Sequence, residues 1–336
     1  MAAVTRRESQ PLFVGIDGGS TKTAGAIISG AGRVLAWERG PASAIVGAPS
    51  DRARSVLSSM VDSLCEQAAA SREDIASCGI GLSGIDFADE FDMQHAEVAA
   101  AVGLPQERLV LVNDGIAALW GATASPAAAL FQHGSGFTSA YRSRHGEEKL
   151  FDHLSVARTF DMRQELVSLI ARMINGMVAP TPLKEQALAH FGLEDEQEYC
   201  DAIYRRSIPR DLLLNTPPLI YRAWLEGDPA AASLVEKAAD DYALAAKAMI
   251  AGTGDPAADA VFGGGVIERA PPEFWELLAE RVRRFCPEAT VKPADLAPEL
   301  GAAIMAGHHA GLHPQRLFGQ VLQHHLAPPA TGRTAD

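Results

Sequence analysis

The sequence predicts an α/β protein built from two similar halves. Its 336 residues, 47% of them hydrophobic, correspond to about two domains of ordinary size. Short apolar runs suited to buried strands alternate with amphipathic segments suited to helices. The order strand, glycine loop, strand, turn, strand, helix also occurs twice, first over residues 12–70 and again over residues 127–177. The two copies share little sequence identity, so we interpret them as a topological repeat.

The first half begins with an apolar strand at residues 12–16, followed by a polar loop at residues 17–21. Strands at 24–28 and 33–37 come next, joined by a hairpin turn that contains two glycines. In the helix predicted at 51–70, apolar side chains recur every three or four residues. The rest of this half comprises strands at 78–82 and 109–112 and helices near 89–102 and 114–123.

The second half repeats this order after residue 125. Residues 180–255 are helical and charged, with the clearest amphipathic pattern at 228–251. The predicted elements before this segment are strands at 127–131, 137–142 and 148–151 and a helix at 160–177. The predicted elements after it are a strand at 259–262, a helix from Pro271-Pro272 to about residue 285, a strand at 289–292 and a small-residue helix at 298–312.

Composition excludes several classes of function. The net charge of −13 argues against a nucleic-acid partner, which would require a basic surface. The chain lacks a stretch of about 18 apolar residues, so no membrane span is expected. The polar residues 1–10 do not lead into the apolar core of a signal peptide, and we therefore expect a cytoplasmic protein.

Cysteines and histidines give no pattern typical of a metal site. The four cysteines are Cys65, Cys78, Cys200 and Cys286. They are too far apart for a CxxC pair, so we expect buried, reduced thiols. His308 and His309 would point in different directions from one helix, which favours a surface position over a chelate.

Three glycine-rich loops each follow an apolar strand. Glycine lets the backbone approach a phosphate closely, and the backbone amides of such a loop can bind an anion. Each loop alone could equally be a hairpin turn, but three loops at strand ends favour a phosphate ligand. The candidate binding residues are Gly18, Gly19, Ser20, Thr21 and Lys22 in the first loop, Gly134, Ser135 and Gly136 in the second, and Gly263, Gly264 and Gly265 in the third.

Asp17 stands directly at the end of the first strand, beside the hydroxyls of the first loop. A carboxylate at this position can hold Mg²⁺ through its water ligands while hydroxyls and amides bind a phosphate. The alternative is an aspartate that caps a turn. The GxxxxGK[ST] pattern of a Walker P-loop does not occur here.

Asp114 follows the strand at 109–112 and precedes a helix. One interpretation is a helix N-cap at Asn113-Asp114, since both residue types are favoured there. The other is a general base that accepts the proton of an acceptor hydroxyl during phosphoryl transfer, with Asn113 orienting the acceptor. Ser83, Gly84 and Asp86, after the strand at 78–82, either line the acceptor side or form a plain loop.

Taken together, these motifs resemble the BadF/BadG/BcrA/BcrD-type ATPase family, and within it the N-acetylglucosamine kinases. That family belongs to the superfamily of sugar kinases, heat-shock chaperones and actin. The motifs stand in the family's order over nearly the whole chain. They are Val-Gly-Ile-Asp-Gly-Gly-Ser-Thr-Lys-Thr at 14–23, Gly-Ile-Gly-Leu-Ser-Gly at 79–84, Val-Asn-Asp-Gly at 112–115, Gly-Ser-Gly at 134–136, Val-Phe-Gly-Gly-Gly-Val at 261–266 and Leu-Gly-Ala-Ala at 300–303.

The resemblance implies two RNase H-like domains of the actin-like ATPase type with an ATP cleft between them. Residues 1–123, completed by a C-terminal helix at 298–325, would form the first domain. Residues 124–297 would form the second, with a helical insertion at about 180–255, and residues 326–336 would be a loose tail. The first two glycine loops would grip the β- and γ-phosphates, the third would lie by the adenosine, and a homodimer is expected from the family alone.

The resemblance also implies an ATP- and Mg²⁺-dependent kinase, with Asp17 near the metal and Asp114 as the catalytic base. Its acceptor would be a hydroxyl of a small sugar or amino sugar. The sequence departs from the family on the acceptor side. The second loop reads Gly-Ser-Gly-Phe instead of Gly-Thr-Gly-Ser, and residues 156–163 replace a Gly-Asp-Glu-Gly-Ser segment. The asparagine expected after the third strand is also missing from residues 40–45.

These departures lead to a hypothesis that Arg158, Asp161 and Arg163 contact the acceptor instead. Two other functions remain open. A dehydratase-activating ATPase of the same family would need closely placed cysteines for an iron–sulfur cluster, and the spacing of the four cysteines disfavours it. A sensor that has lost catalysis would bind nucleotide or sugar without turnover, and the altered second loop favours it.

Overall fold

The computed structural model describes residues 10–151 and 159–326, which contain two five-stranded sheets. The strands of the first sheet are β1 (Leu12–Gly18), β2 (Thr23–Ser29), β3 (Val34–Gly40), β4 (Ile75–Leu82) and β5 (Leu109–Val112). Their order in the sheet is β3-β2-β1-β4-β5. The first three strands pair antiparallel, whereas β4 and β5 run parallel to β1.

The second sheet repeats this topology. Its strands are β6 (Ala128–His133), β7 (Phe137–Arg142), β8 (Glu148–Leu150), β9 (Asp259–Gly263) and β10 (Thr290–Pro293). The order is β10-β9-β6-β7-β8, with β6, β7 and β8 antiparallel and β9 and β10 parallel to β6. The predicted topological repeat is therefore confirmed, although the limits predicted for the two domains stay a prediction.

Helices cover both sheets. The helices of the first half are α1 (Asp51–Gln67), α2 (Phe91–Val102) and α3 (Asp114–Ala122). Those of the second half are α4 (Met162–Ile174), α5 (Pro182–Phe191), α6 (Glu196–Arg205), α7 (Arg210–Leu214), α8 (Pro217–Leu225), α9 (Pro229–Thr253), α10 (Gly265–Glu268) and α11 (Pro272–Phe285). The segment predicted at 180–255 thus contains α5 to α9. Because α3 contacts β4 of one sheet and β6, β7 and β8 of the other, it lies between the two sheets.

The single C-terminal helix predicted at 298–325 is wrong. The structure has two helices, α12 (Pro298–His309) and α13 (Pro314–Leu326). Gly311, with φ of +93°, breaks the first helix in a conformation that favours glycine, and the ring of Pro314 suits the first turn of the next. Residues 327–336, predicted as a tail, lie outside the described residues.

The thiols and histidines are only partly as predicted. Cys65 and Cys78 are buried, but Cys200 and Cys286 are partly exposed, since α6 and the end of α11 lie near the surface. His308 and His309 are exposed, as expected. Every helix in the described ranges is too short or too polar to cross a bilayer.

Glycines allow α12 to lie directly on the first sheet. A Cβ added at Gly15 in β1 would stand 2.0 Å from the carbonyl oxygen of Glu299, and one at Gly79 in β4 would stand 2.1 Å from that of Ala302. A Cβ at Gly301 would meet the amide nitrogen of Gly121 in α3 at 2.2 Å. Backbone therefore meets backbone between β1, β4, α12 and α3, and no larger residue fits.

Replacement of Gly15 by alanine should lower the free energy of unfolding by at least about 1–3 kcal/mol, because backbone atoms of α12 must move. Gly319 is the matched control, since it is exposed within α13 and an added Cβ would meet nothing within 4 Å. Gly319→Ala should stabilise the protein by about 0.5–1 kcal/mol. Urea denaturation measures both, and equal effects of the two substitutions would contradict the packing argument.

Candidate active site

A cleft of about 580 Å³ brings the three glycine loops together with Asp17 and Asp114. β1 of the first sheet leads to the first loop, and β6 and β9 of the second sheet lead to the second and third loops. The sequence-predicted residues that line the cleft are Asp17, Gly19, Ser20, Thr21, Lys22, Ser83, Asp114, Gly134, Ser135, Gly136, Arg163, Gly264 and Gly265. Strand ends from both sheets therefore converge on one site.

The first two loops face each other across the cleft. The hydroxyl oxygens of Ser20 and Ser135 are 3.3 Å apart. Each loop is a tight hairpin, closed by a hydrogen bond from the amide of Gly19 to the carbonyl of Lys22 and by one from Gly134 to Gly136. A Cβ at Gly134 or Gly136 would meet nothing within 4 Å, so this loop offers open backbone to a ligand. An anion between the loops would contact both halves of the molecule.

The third loop requires glycine at its centre. Gly264 has φ of +83°, and a Cβ there would stand 2.6 Å from the carbonyl carbon of His133, the last residue of β6 before the second loop. Glu268 accepts a hydrogen bond from the amide of Gly264, while Arg269 donates to the carbonyl of Gly265 and to the side chain of Asn215. The third loop thus packs against the strand end that leads into the second loop.

Asp17 is a half-buried carboxylate close to other negative charges. Its pKa is raised to about 7, chiefly by desolvation and then by the charges of Asp114 and Glu299, while Lys22 opposes the shift. A carboxylate in this environment favours a bound cation. Within the described residues, no group of three His, Cys, Asp or Glu side chains could hold a metal ion. One carboxylate beside loops suited to phosphate is a donor set that fits Mg²⁺, which keeps several water ligands.

Asp114 lies at the start of α3 and faces the same cleft. Burial raises its pKa to about 6, although the amide of Gly115 donates a hydrogen bond to it and opposes the shift. Asn113, not Asp114, is the N-cap of α3, because its side chain accepts a bond of 2.8 Å from the Gly115 amide. The carboxylate of Asp114 is therefore placed for chemistry near neutral pH.

The remaining predicted residues on the acceptor side support the cleft and do not line it. The side-chain amide of Asn113 donates to Asp86 at 2.8 Å, which ties the end of β5 to the loop after β4. Gly84 has φ of +104°, and a Cβ there would lie 2.1 Å from the carbonyl of Ile45. Gly18 and Gly263 likewise stand beside the lining residues, and Arg158 lies outside the described residues.

Arg163 and Asp161 form a buried ion pair beneath the second loop. The Arg163 guanidinium donates two bonds, of 2.8 and 2.9 Å, to the Asp161 carboxylate. It also donates to the carbonyl of Gly134 at 2.7 Å and to Nε2 of His133 at 2.9 Å. Burial alone would raise the pKa of Asp161, but the bonds and charge of Arg163 hold it below its ordinary value.

His133 completes this network as a neutral side chain. It is fully buried, and burial together with the charge of Arg163 lowers its pKa to about 3. Since Arg163 donates to Nε2, Nδ1 carries the proton and donates to the hydroxyl of Tyr242, 2.5 Å away. His133 also stacks on Phe137 across the second loop, with ring centroids 4.0 Å apart. The network thereby fixes both ends of this loop.

Several residues in or beside the cleft were missed from the sequence. Glu268, Arg269 and Asn215 line it, and no motif indicated them beyond their position after the third loop and in the helical segment. Glu299 is buried and accepts a bond of 2.6 Å from the indole nitrogen of Trp37. A lone carboxylate in the small-residue sequence of α12 was the signal that could have indicated it.

The raised pKa of Asp17 leads to a prediction about stability. Its folded pKa of about 7 exceeds the ordinary value of 3.8, so the folded state loses stability as pH rises between the two. Without Mg²⁺, Asp17→Asn should therefore melt at least about 2 °C above the wild type at pH 8 and lose this advantage towards pH 5. At pH 8, Mg²⁺ should raise the melting temperature of the wild type more than that of the variant.

The exposed Asp92 of α2 provides the control for this experiment. Asp92→Asn should change neither the pH dependence nor the response to Mg²⁺. Thermal melts at pH 5 and pH 8, with and without Mg²⁺, measure both effects. If the melting temperatures of Asp17→Asn and the wild type changed equally with pH, the Asp17 carboxylate would not be destabilising.

Arg163→Met should lower the free energy of unfolding by about 3–5 kcal/mol, because it leaves the Asp161 carboxylate buried without a partner. The double variant Arg163→Met, Asp161→Asn should recover part of this loss. Arg284→Met is the control, since Arg284 and its partner Glu280 are each 56% exposed and should contribute less than about 1 kcal/mol. Urea denaturation provides the values, and equal losses at both arginines would contradict the role of the buried pair.

Comparison with known proteins agrees with this geometry. The model of the BadF/BadG/BcrA/BcrD ATPase family matches residues 14–306. No curated protein matched the chain in a sequence search. A candidate N-acetylglucosamine kinase from Chromobacterium violaceum superposes with a TM-score of 0.66 at 21% identity, over 88% of this chain and 99% of its own.

Two further solved structures are similar. A candidate N-acetylglucosamine kinase from Porphyromonas gingivalis has a TM-score of 0.66 at 18% identity, over 89% of this chain and 99% of its own. A ROK family glucokinase from Streptomyces griseus, in complex with glucose and AMPPNP, has a TM-score of 0.54 at 22% identity, over 88% and 98%. These likenesses confirm the predicted actin-like ATPase fold. Because the family model covers most of its length, the chain belongs to the BadF/BadG/BcrA/BcrD ATPase family.

Proposed function

We propose that the chain is an ATP-dependent kinase that phosphorylates a hydroxyl of a small sugar or amino sugar. The observation that carries this proposal is the meeting of Asp17, Asp114 and three glycine loops in one cleft, with the pKa of both carboxylates raised. The family is one of ATPases, and the similar structures include a glucokinase with glucose and AMPPNP. The acceptor class rests on those structures, two of which are described as candidate N-acetylglucosamine kinases.

The two opposed loops are suited to the phosphates of ATP. Backbone amides and hydroxyls of Ser20, Thr21 and Ser135 would bind phosphoryl oxygens, and Lys22 would add a positive charge. The third loop, with Asn215 and Arg269 beside it, would lie against the adenosine. Because the third loop packs against the residue before the second loop, the phosphate site and the adenosine site would keep a fixed position relative to each other.

Asp17 would hold Mg²⁺ through its water ligands, and the metal would neutralise charge on the phosphates. The surrounding carboxylates fit this role because their charge favours a cation. Glu299 would influence the metal site indirectly, through Asp17. Its bond to Trp37 fixes the carboxylate while its charge adds to the negative field at Asp17.

Asp114 would accept the proton of the acceptor hydroxyl. The acceptor oxygen forms a bond to the γ-phosphorus as the bond from that phosphorus to the β–γ bridging oxygen breaks, and ADP leaves with the electron pair. A pKa of about 6 leaves Asp114 ionised at neutral pH yet still able to bind a proton. Ser83 lines the same part of the cleft and would contact the acceptor, while Asn113 and Asp86 hold the surrounding loop.

A sensor that binds ligand without turnover is the alternative favoured by the second loop. In that loop, Arg163 donates a hydrogen bond to the carbonyl of Gly134, and Arg163 belongs to the segment 156–163 that departs from the family pattern. A kinase predicts acceptor-dependent release of ADP, whereas a sensor predicts binding alone.

Asp114→Asn should lower kcat by about 10²-fold or more, because the side chain keeps its shape and loses the base. In the wild type, kcat/KM should rise with pH through about 6 and then level, since Asp114 acts only when deprotonated. A coupled ADP-release assay with Mg-ATP and a panel of sugars, amino sugars and N-acetylated amino sugars measures both. The control Asp92→Asn should retain wild-type rates.

Acceptor-dependent release of ADP that is lost in Asp114→Asn would support the kinase. Binding of ATP without stimulation by any acceptor in the panel would count against it and favour the sensor.

A further inference from the structure

A second cavity of about 580 Å³ adjoins the cleft. Ser135, Arg163 and Leu214 line both spaces, so the two are continuous at the second glycine loop. The start of α4 forms one side of the cavity, and α6 and α7 with the turn between them form the other. The proposed phosphoryl transfer uses none of the residues contributed by α6.

The charges that line this cavity are unbalanced. Three guanidinium groups, those of Arg163, Arg206 and Arg210, face one carboxylate, that of Asp161. Asp161 is already engaged by Arg163 through two hydrogen bonds. Arg206 and Arg210 are exposed, and within the described ranges neither has an ion-pair partner. Two uncompensated positive charges at one concave site are notable in a chain with a net charge of −13.

The backbone at Arg206 is unfavourable for arginine. Arg206 ends α6 in the left-handed conformation, with φ of +53°. The left-handed residues that end α2, α5 and α9 are all glycine. Glycine would adopt this conformation at lower cost, and among the described residues Ala69, with φ of +50°, is the other non-glycine residue with a positive φ.

Apart from Ser135 and Gln164, the rest of the lining is aliphatic. Val167, Ile203, Ile208 and Leu213 contribute to it. The cavity therefore combines a surface for a carbon skeleton with donors for a planar or tetrahedral anion.

We infer that this cavity binds the carboxylate or phosphate group of a small ligand, through Arg206 and Arg210. That group is either part of the acceptor, which is then an acidic or phosphorylated sugar, or part of a separate effector. The first source rests on the proposed kinase function, and binding itself does not. Arg163 forms the shared wall through which such a ligand would influence the second glycine loop.

The test compares the double variant Arg206→Gly, Arg210→Gln with Arg205→Ala. Arg205 precedes Arg206 and is exposed, but it does not line the cavity. Glycine at 206 suits the left-handed backbone, so the double variant should melt no lower than the wild type. Isothermal titration calorimetry with D-glucuronate, glucose 6-phosphate and inorganic phosphate measures binding, and D-glucose is the neutral probe.

Anionic probes should bind the wild type and Arg205→Ala alike, and the double variant about tenfold or more weakly. D-glucose should bind all three proteins equally. Anions that bind the double variant as well as the wild type, or none that bind the wild type, would overturn the inference.

An ADP-release assay with the same sugars distinguishes the two sources. Faster turnover of an anionic sugar than of its neutral counterpart, lost in the double variant, identifies the acceptor. An anion that is not phosphorylated but changes the turnover of a neutral sugar identifies an effector. If no sugar in any form stimulates release of ADP, the proposed kinase function fails, and the calorimetric comparison alone decides the inference.

Discussion

Close backbone contact between α12 and the first sheet is the constraint on which the rest of the structure depends. Gly15 and Gly79 leave no space between β1, β4 and the helix, and Gly301 brings α12 equally close to α3. Asp17 is two residues beyond Gly15, Glu299 stands at the start of α12, and α3 begins with Asp114. The close packing of these backbones therefore fixes the backbone positions from which the three carboxylate side chains extend.

The same packing accounts for the electrostatics of the cleft. Like charges brought close together in a buried place raise one another's pKa, and such an arrangement is costly unless a cation binds. In this chain the cost falls mainly on Asp17, whose pKa reaches about 7. We interpret this as local instability that the proposed binding of Mg²⁺ and phosphate would relieve.

The second loop shows how a departure from the family pattern can be accommodated. His133 precedes the loop at a fully buried position, and Arg163 and Tyr242 are its hydrogen-bond partners. Asp161 balances the charge of Arg163. Asp161 and Arg163, two of the three residues that we hypothesised as acceptor contacts, are thus engaged with one another and with the loop. The positive charges that lack an ion-pair partner in the described residues are those of Arg206 and Arg210, which line the adjoining cavity.

The sequence by itself determined the strands, the order of the helices, the three glycine loops and the two carboxylates at strand ends, because these follow from local periodicity and from residue type. The residue pattern ended the small-residue helix at 312, close to the break at Gly311, whereas the continuous helix to 325 came from the family resemblance. The tertiary structure alone decided which residues meet in space: Glu299 with Trp37, His133 with Tyr242, and Arg163 with the second loop. Those partners are separated by up to 262 positions, and no local pattern encodes such contacts.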